Sequence, residues 1–241
     1  MTARPALPAR FDPSGSDTSV EQKYVFAGMY ADLLNSWLTT HCDLDPEFPL
    51  GTISSLYYDT PALQFLEEKR NSDYLKTKVR LRWYEAYDES WTDSAPDEVR
   101  CFLEVKSKIG SLRTKTRAAV SLPRRRLLEN PFLQDDIVEL PRRSGMDIPD
   151  LPAALLPMLF IQYERARFVD SVTGCRIALD TKIRAVSAHP HYVPARFPVG
   201  LSVGVLEVKG AERDFPESLG PLGGYVTKAA FSKYATCWEQ V

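Results

Sequence analysis

Histidine is scarce in this chain, with three residues in 241, and cysteine nearly so, with Cys42, Cys101, Cys175 and Cys237 far apart and no CxxC pair. Ligand spacing of the zinc-site kind is therefore missing, and the scattered thiols read as reduced side chains of a cytoplasmic protein. No apolar run approaches the ~20 residues that span a bilayer. Residues 1–19 lack the apolar stretch of a secretory signal, and their Pro, Gly, Ser and Thr content predicts a loose leader. Charge of one sign is not in excess either: 30 Lys and Arg stand against 32 Asp and Glu, for a net charge of −2. That balance argues against a protein that coats nucleic acid nonspecifically, although totals hide arrangement. The run 220–224, GPLGG, is no Walker loop, since GxxxxGK[ST] is absent, and it predicts a turn. The sequence offers no convincing catalytic Ser, Cys or His nucleophile.

What the chain does have is a repeated short segment of alternating apolar and charged residues, the period of a half-buried strand. Eight such segments run over 20–26, 52–59, 74–87, 99–108, 113–122, 158–169, 175–186 and 202–210. The fourth and fifth read as a hairpin turning at Ile109-Gly110-Ser111. Between the strands, 27–41 carries Met29, Leu33, Leu34, Trp37 and Leu38 at helical spacing. A second helix over 61–70 begins with Pro61 after Thr60, an expected N-cap. Two further helices are predicted within 123–156, and one or two short ones in 216–240. No linker or internal repeat divides the chain, so 20–241 reads as one domain.

The charged faces of these strands are unusual. Successive strand side chains point to opposite faces, so Lys78, Arg80 and Arg82 share one face while Val79, Leu81 and Trp83 share the other. Glu104, Lys106 and Lys108 likewise share a face, as do Arg113, Lys115 and Arg117, then Tyr163, Arg165 and Arg167. Arg176 with Asp180, Glu207 with Lys209, and Glu21 with Lys23 complete the set. A solvated face mixes Thr, Ser, Gln and Glu with its lysines; these rows are dominated by cations at i, i+2 and i+4, which repel unless an anion lies among them. Arg and Lys in such rows suit phosphate, so Lys78, Lys108, Lys115 and Arg117 are candidate phosphate ligands. Glu21, Glu104 and Glu207 are candidate oxygen ligands for a divalent ion.

The segments EQKY (21–24), SSLYYDT (54–60), KVRLRWY (78–84), FLEVKSK (102–108), KTR (115–117), YERARF (163–168), RIALDT (176–181), LEVK (206–209) and FSKY (231–234) follow one another along the chain. As an ordered set they resemble the VTC domain of the triphosphate tunnel metalloenzyme (CYTH-like) superfamily, in a stand-alone bacterial form. The family is known as the catalytic domain of eukaryotic vacuolar polyphosphate polymerases. The resemblance implies an α+β fold, an antiparallel eight-stranded β-barrel around a basic tunnel with helices packed around it and at its ends. It implies metal-assisted transfer of the ATP γ-phosphoryl group to a polyphosphate chain, with Mn²⁺ or Mg²⁺ as cofactor. The partners are then ATP and inorganic polyphosphate or triphosphate, with no nucleic acid. Lys23, Arg80, Arg82, Arg165 and Lys233 would form the catalytic group, Lys106, Arg176 and Lys209 would also bind phosphate, and Glu207 would hold the metal.

Two departures narrow this reading. Many tunnel enzymes begin Glu-x-Glu-x-Lys, whereas Ser19 takes the first position here, which argues against the cyclase and thiamine triphosphatase branches. Where the polymerases often carry Lys before Phe-Ser-Lys, this chain has Ala230, with Lys228 as a nearby substitute. A non-catalytic phosphate-chain binding module and a triphosphatase are the alternative readings. With no SPX-type sensor and no membrane span in the sequence, inositol-phosphate control and coupled translocation are not expected, and recruitment by a membrane-protein partner stays open. His189 and His191, flanking Pro190, are expected to be exposed loop residues, Arg124-Arg125-Arg126 a solvated helix face, and Trp83 and Trp91 packing residues.

Overall fold

A computed structural model describes residues 20–71, 74–85, 97–110, 112–148, 151–152, 154–193, 197–211 and 214–241. The leader 1–19, Ala86 and Tyr87 of the third expected strand, Trp91, and Ser111 of the expected turn lie outside the described residues.

All eight expected strands form. They are β1 (Val20–Ala27), β3 (Leu50–Asp59), β4 (Leu75–Glu85), β5 (Glu98–Ile109), β6 (Leu112–Pro123), β7 (Leu156–Val169), β8 (Arg176–Ala188) and β10 (Val203–Gly210). Three two-residue strands join them: β2 (Asp43–Leu44), β9 (Val199–Gly200) and β11 (Thr227–Lys228). The sheet is antiparallel throughout, in the order β11-β1-β10-β8-β7-β3-β4-β5-β6, with β2 on β7 and β9 on β8.

The eight-stranded closed barrel is thus corrected to an open eleven-stranded sheet. Its seam lies between β6 and β1, which do not pair. Two physical causes are visible. The free edge of β1 is taken by β11, through Tyr24 opposite Lys228 and Val25 opposite Thr227. Both seam strands also turn cations towards the same space, Lys23 from β1 and Arg113, Lys115 and Arg117 from β6, and like charges resist zipping together. The sheet curls into a trough.

The helices cover its outer face and one part of its inner face. α1 (Ala31–His41) follows a 3-10 turn at Gly28–Tyr30 and buries Leu34 and Leu38, while Met29 and Leu33 stay exposed, so the apolar stripe is narrower than its sequence pattern. α2 (Gln64–Arg70) starts three residues later than Pro61. Its cap is shared: Thr60 Oγ1 accepts from Gln64 N–H at 3.0 Å, and the Asp59 carboxylate accepts from Phe65 and Leu66 N–H at 2.9 and 3.0 Å. Three short helices, α3 (Arg124–Leu128), α4 (Asp135–Val138) and α5 (Leu140–Arg143), replace the two expected after β6. They cover the outward residues of β4 and β5, where Val79, Leu81, Trp83, Leu103 and Val105 are buried with Leu127, Phe132 and Ile137. His189 is buried in this region against Phe132 and Tyr192, contrary to the loop expectation, and His191 is exposed.

The last helix, α6 (Lys233–Trp238), lies in the trough itself. Tyr234 and Cys237 pack on Ile53, Leu159, Ile161, Ile183 and Val205 of the inner face. Tyr234 OH donates to Asp59 Oδ2 at 2.9 Å, tying α6 to the end of β3 and the start of α2. Part of the concave face is therefore an apolar seat for α6, and the rest is left to the charged rows. The four cysteines form no disulfide, and among the described residues no helix is long and apolar enough to cross a membrane.

Candidate functional site: a cation-lined trough

The unseated part of the trough is a cavity of about 1400 Å³. Along β4 it runs from Lys76 to Tyr84, eight residue steps or roughly 26 Å of strand. Among the described residues sixteen Lys and Arg line it against three acids, Glu21, Glu104 and Glu207. More than half of the 30 basic residues of a chain with net charge −2 thus converge on one surface.

Strand register explains the convergence. Lys78 of β4, Lys106 of β5 and Lys115 of β6 stand directly opposite one another, and Lys76, Lys108 and Arg113 form a second such row. Neither row contains an acid. The third row, Arg80-Glu104-Arg117, does. There Glu104 Oε2 lies 2.7 Å from Arg80 Nη2 and 3.9 Å from Arg82 Nη1, and Glu104 Oε1 lies 3.6 Å from Arg117 Nε. Although burial opposes ionisation, the Arg80 and Arg82 guanidiniums and Lys115 hold the Glu104 carboxyl down at about 2. Arg82 is fixed further by Ser55 Oγ and Tyr163 OH, each 3.2 Å away. The Arg117 guanidinium stacks 3.5 Å from the Phe102 ring centroid, and its Nε has no hydrogen-bond partner.

The opposite wall is neutralised differently. Arg165 of β7 forks onto Asp180 of β8, Nε to Oδ1 at 2.5 Å and Nη2 to Oδ2 at 2.7 Å, and reaches Glu207 Oε2 of β10 at 3.0 Å. Lys233 at the start of α6 binds Asp180 Oδ2, lies 3.9 Å from Glu207 Oε1, and sits 4.4 Å above the Tyr163 ring. Lys23 bridges Glu21 Oε1 at 3.3 Å and Glu207 Oε1 at 3.6 Å, and Lys209 reaches Glu21 Oε2 at 3.5 Å. Burial would raise the Glu207 carboxyl, but Arg165, Lys233, Lys23 and Lys209 hold it far below the usual range.

On the acid-free rows the lysines respond to crowding instead. Burial, with Arg80, Lys23 and Lys106 nearby, brings the Lys78 ammonium down to about 7. Burial together with Arg80 and Lys115 brings Lys106 to about 8. Beneath them Tyr57 is fully buried, with Lys78 Nζ 4.8 Å above its ring and Arg80 Nη1 donating to its hydroxyl at 3.4 Å. Burial opposes its ionisation, yet Lys78, Arg80, Arg82 and Lys233 draw the phenol below its ordinary value.

Of the residues singled out from the sequence, Lys23, Lys78, Arg80, Arg82, Lys106, Lys108, Lys115, Arg117, Arg165, Lys209, Lys233, Glu21, Glu104 and Glu207 all lie on the cavity. Arg176 does not: it is exposed at the first residue of β8 and is not part of the lining. Lys228 lines the cavity beside Ala229 and Ala230. Tyr57 and the organising role of Asp180 went unrecognised in the sequence. The alternation in TISSLYYD placed Tyr57 on one face with Ser55, but nothing local to β3 or β8 announces the cations that other strands bring. Among the described residues no group of three or more His, Cys, Asp or Glu is placed to hold a metal by itself.

Fold and lining together define a curled antiparallel sheet with a basic axial cavity. The chain belongs to the VTC domain family, whose description matches residues 19–241. No curated protein matches it. Among solved structures it is similar to an adenylyl cyclase candidate from Hippeastrum with a dominant triphosphatase activity, at 16% identity and a TM-score of 0.48, over 92% of this chain and 95% of that one. It is also similar to an adenylate cyclase candidate from Bacillus halodurans, at 12% identity and a TM-score of 0.47, over 89% and 93%. A third is the PH1012 protein of Pyrococcus horikoshii, at 11% and 0.39, over 86% and 94%.

Proposed function

We propose that the trough binds the triphosphate of ATP and a linear polyphosphate chain, and transfers the γ-phosphoryl group of the one to the end of the other. The observation that carries this reading is the pair of acid-free cation rows, Lys78-Lys106-Lys115 and Lys76-Lys108-Arg113. A polyanion is the ligand that turns such rows from repulsive to attractive. Strand length favours a linear anion, and the buried guanidiniums of Arg80 and Arg82 supply fixed forks for phosphate oxygens.

In the transfer, a terminal oxygen of the acceptor chain forms a bond to the γ-phosphorus while the bond from that phosphorus to the β,γ-bridging oxygen breaks. ADP leaves, and the chain is one phosphate longer. Such chemistry asks the protein for alignment and charge neutralisation rather than for a nucleophile. Arg80, Arg82 and Arg165 hold the equatorial oxygens, and Lys233, tethered by Asp180, meets the terminal phosphate. Lys78 and Lys106 take up protons as the polyanion arrives.

The family implies Mn²⁺ or Mg²⁺, and the lining accommodates such an ion at one place. Glu21 and Glu207 converge on the position of the Lys23 ammonium, matching the habit of Mg²⁺ of using one or two carboxylates plus substrate phosphates. Glu104 does not fit, because Arg80 holds its Oε2 at 2.7 Å and two more guanidiniums flank it, whereas Glu207 Oε1 faces only the Lys23 and Lys233 ammoniums, at 3.6 and 3.9 Å. Bound at Glu21 and Glu207, the ion would neutralise phosphate oxygens as a Lewis acid.

Purified protein incubated with ATP, Mn²⁺ and a short polyphosphate primer tests the reading on a gel stained for polyphosphate. Lengthening chains that disappear in Glu207→Gln support it. Orthophosphate release without lengthening would make the chain a triphosphatase. The cations already gathered around Glu207 favour a second reading, a binding module without turnover; tight tripolyphosphate binding with no product would select it.

A further inference from the structure

Arg165 and Lys23 both answer Glu207, but they hold it differently. Arg165 reaches Glu207 Oε2 at 3.0 Å while forked onto Asp180, and its side chain is 13% exposed. Lys23 lies 3.6 Å from Glu207 Oε1 and 3.3 Å from Glu21 Oε1, with its side chain 31% exposed. A charge-assisted N–H···O bond runs to about 2.7–2.9 Å, so both lysine contacts are loose. Register sets the arrangement: Lys23 stands directly opposite Glu207, and Glu21, on the same face of β1, stands opposite Lys209. Arg165 takes Oε2 of Glu207 and Lys209 lies 3.5 Å from Oε2 of Glu21, which leaves the two Oε1 atoms facing one ammonium.

Those two oxygens are the ones a divalent ion would use, so ion and ammonium compete for one position. With no cation between them the carboxylates repel, and a compact, mobile ammonium suits such a place better than a rigid guanidinium. Two carboxylates are also too few for an octahedral ion, which takes its remaining ligands from phosphates and water. An ion approaching by itself meets Lys23, Lys233, Lys209 and Arg165 around the two acids. Phosphate changes both conditions, because it supplies oxygen ligands and offers the Lys23 ammonium another acceptor.

We propose that Lys23 is a stand-in cation, which holds Glu21 and Glu207 together until phosphate draws its ammonium away, so that the divalent ion binds with the phosphate chain and not before it. The inference rests on the phosphate and metal positions given above and adds an order of assembly to them. Mn²⁺ titrated into the full chain without phosphate, followed by loss of the free-ion electron paramagnetic resonance signal, tests it. The parent should bind weakly, and Lys23→Met should bind about tenfold more tightly, the size of an ordinary coupling between two occupants. Adding Glu207→Gln to that variant should remove the gain. Unfolding midpoints check that the variants keep the fold. A second measurement leaves the ion pair intact: the lysines are reductively methylated with labelled carbon, and the Lys23 resonance is identified by its loss in Lys23→Arg. That resonance should stay in place when Mg²⁺ is added alone and move when tripolyphosphate is added. A parent that binds Mn²⁺ as tightly as Lys23→Met overturns the proposal while leaving the metal position standing, as does a Lys23 resonance that Mg²⁺ alone displaces. No Mn²⁺ binding by either protein, with tripolyphosphate binding intact, overturns it together with the metal position. If the parent binds no tripolyphosphate, the phosphate reading falls and takes the inference with it.

Discussion

The two walls of the trough use similar residues to opposite ends. On β7, β10 and β1 and at the start of α6 the lining cations are largely matched: Arg165 and Lys233 by Asp180 and Glu207, Lys23 and Lys209 by Glu21, while Arg167 donates to the Phe48 carbonyl. On β4, β5 and β6 one acid, Glu104, serves Arg80, Arg82 and Arg117, and the two rows beyond it have none. The matched wall is a finished structure that holds α6 against the sheet. The other is unfinished, because its cations repel until a ligand supplies negative charge. Similar lining chemistry is therefore held in place by its own acids on one side and left open to a ligand's charge on the other.

Removing a charge should accordingly have opposite consequences on the two walls. Asp180→Ala leaves Arg165 and Lys233 without their fully buried counter-ion, and about 3–5 kcal/mol of stability should be lost. Urea unfolding measures it, and a loss near zero would dissolve the distinction between the walls. Lys78→Ala and Lys106→Ala should each weaken tripolyphosphate binding by about 1.5–3 kcal/mol in calorimetry. The same variants, relieved of like-charge crowding, should unfold at an unchanged or higher temperature when ligand-free. A drop in both affinity and stability would mean that the open rows are structural after all.

A pH series sharpens the contrast. With Lys78 held at about 7 and Lys106 at about 8, tripolyphosphate affinity should fall as pH rises through those values. Binding below that range should be flat, and within it should take up protons, which calorimetry in buffers of different ionisation enthalpy detects. For the ligand-free fold the sign reverses. These lysines are depressed relative to the unfolded chain, which keeps its protons to higher pH, so they make folding more favourable as pH rises above about 7 towards the ordinary lysine range. Glu104 and Glu207 act at the acid end. Their folded carboxyls lie below the ordinary value of 4.5, so the stability they add is present above it and is lost as pH falls through the folded values.

The smallest expected effect concerns the seat of α6. Tyr234→Phe removes the hydroxyl that donates to Asp59, at a cost of about 1 kcal/mol. Asp59 keeps its bonds to the Thr60, Phe65 and Leu66 N–H groups. An equal cost with and without saturating tripolyphosphate would confine α6 to a structural role; a larger cost with ligand would place its seating in the binding step.

Much of this was legible along the chain. Period-2 alternation located all eight long strands, because a residue's face in a strand depends only on its parity. The same parity gathered thirteen of the fifteen candidate residues onto one surface, and Lys233 joins them from the start of α6. Arg176 escaped because parity says nothing about where along the axis a cavity ends. Only the tertiary structure decided the rest. Closure of the sheet depended on who pairs with the edge of β1, and a two-residue strand far along the chain took it. Which cations are satisfied depended on cross-strand register, which set Glu104 between Arg80 and Arg117 but left Lys106 between two lysines. A strand's sequence states which residues share its face; only its neighbours decide whether the charges on that face are answered.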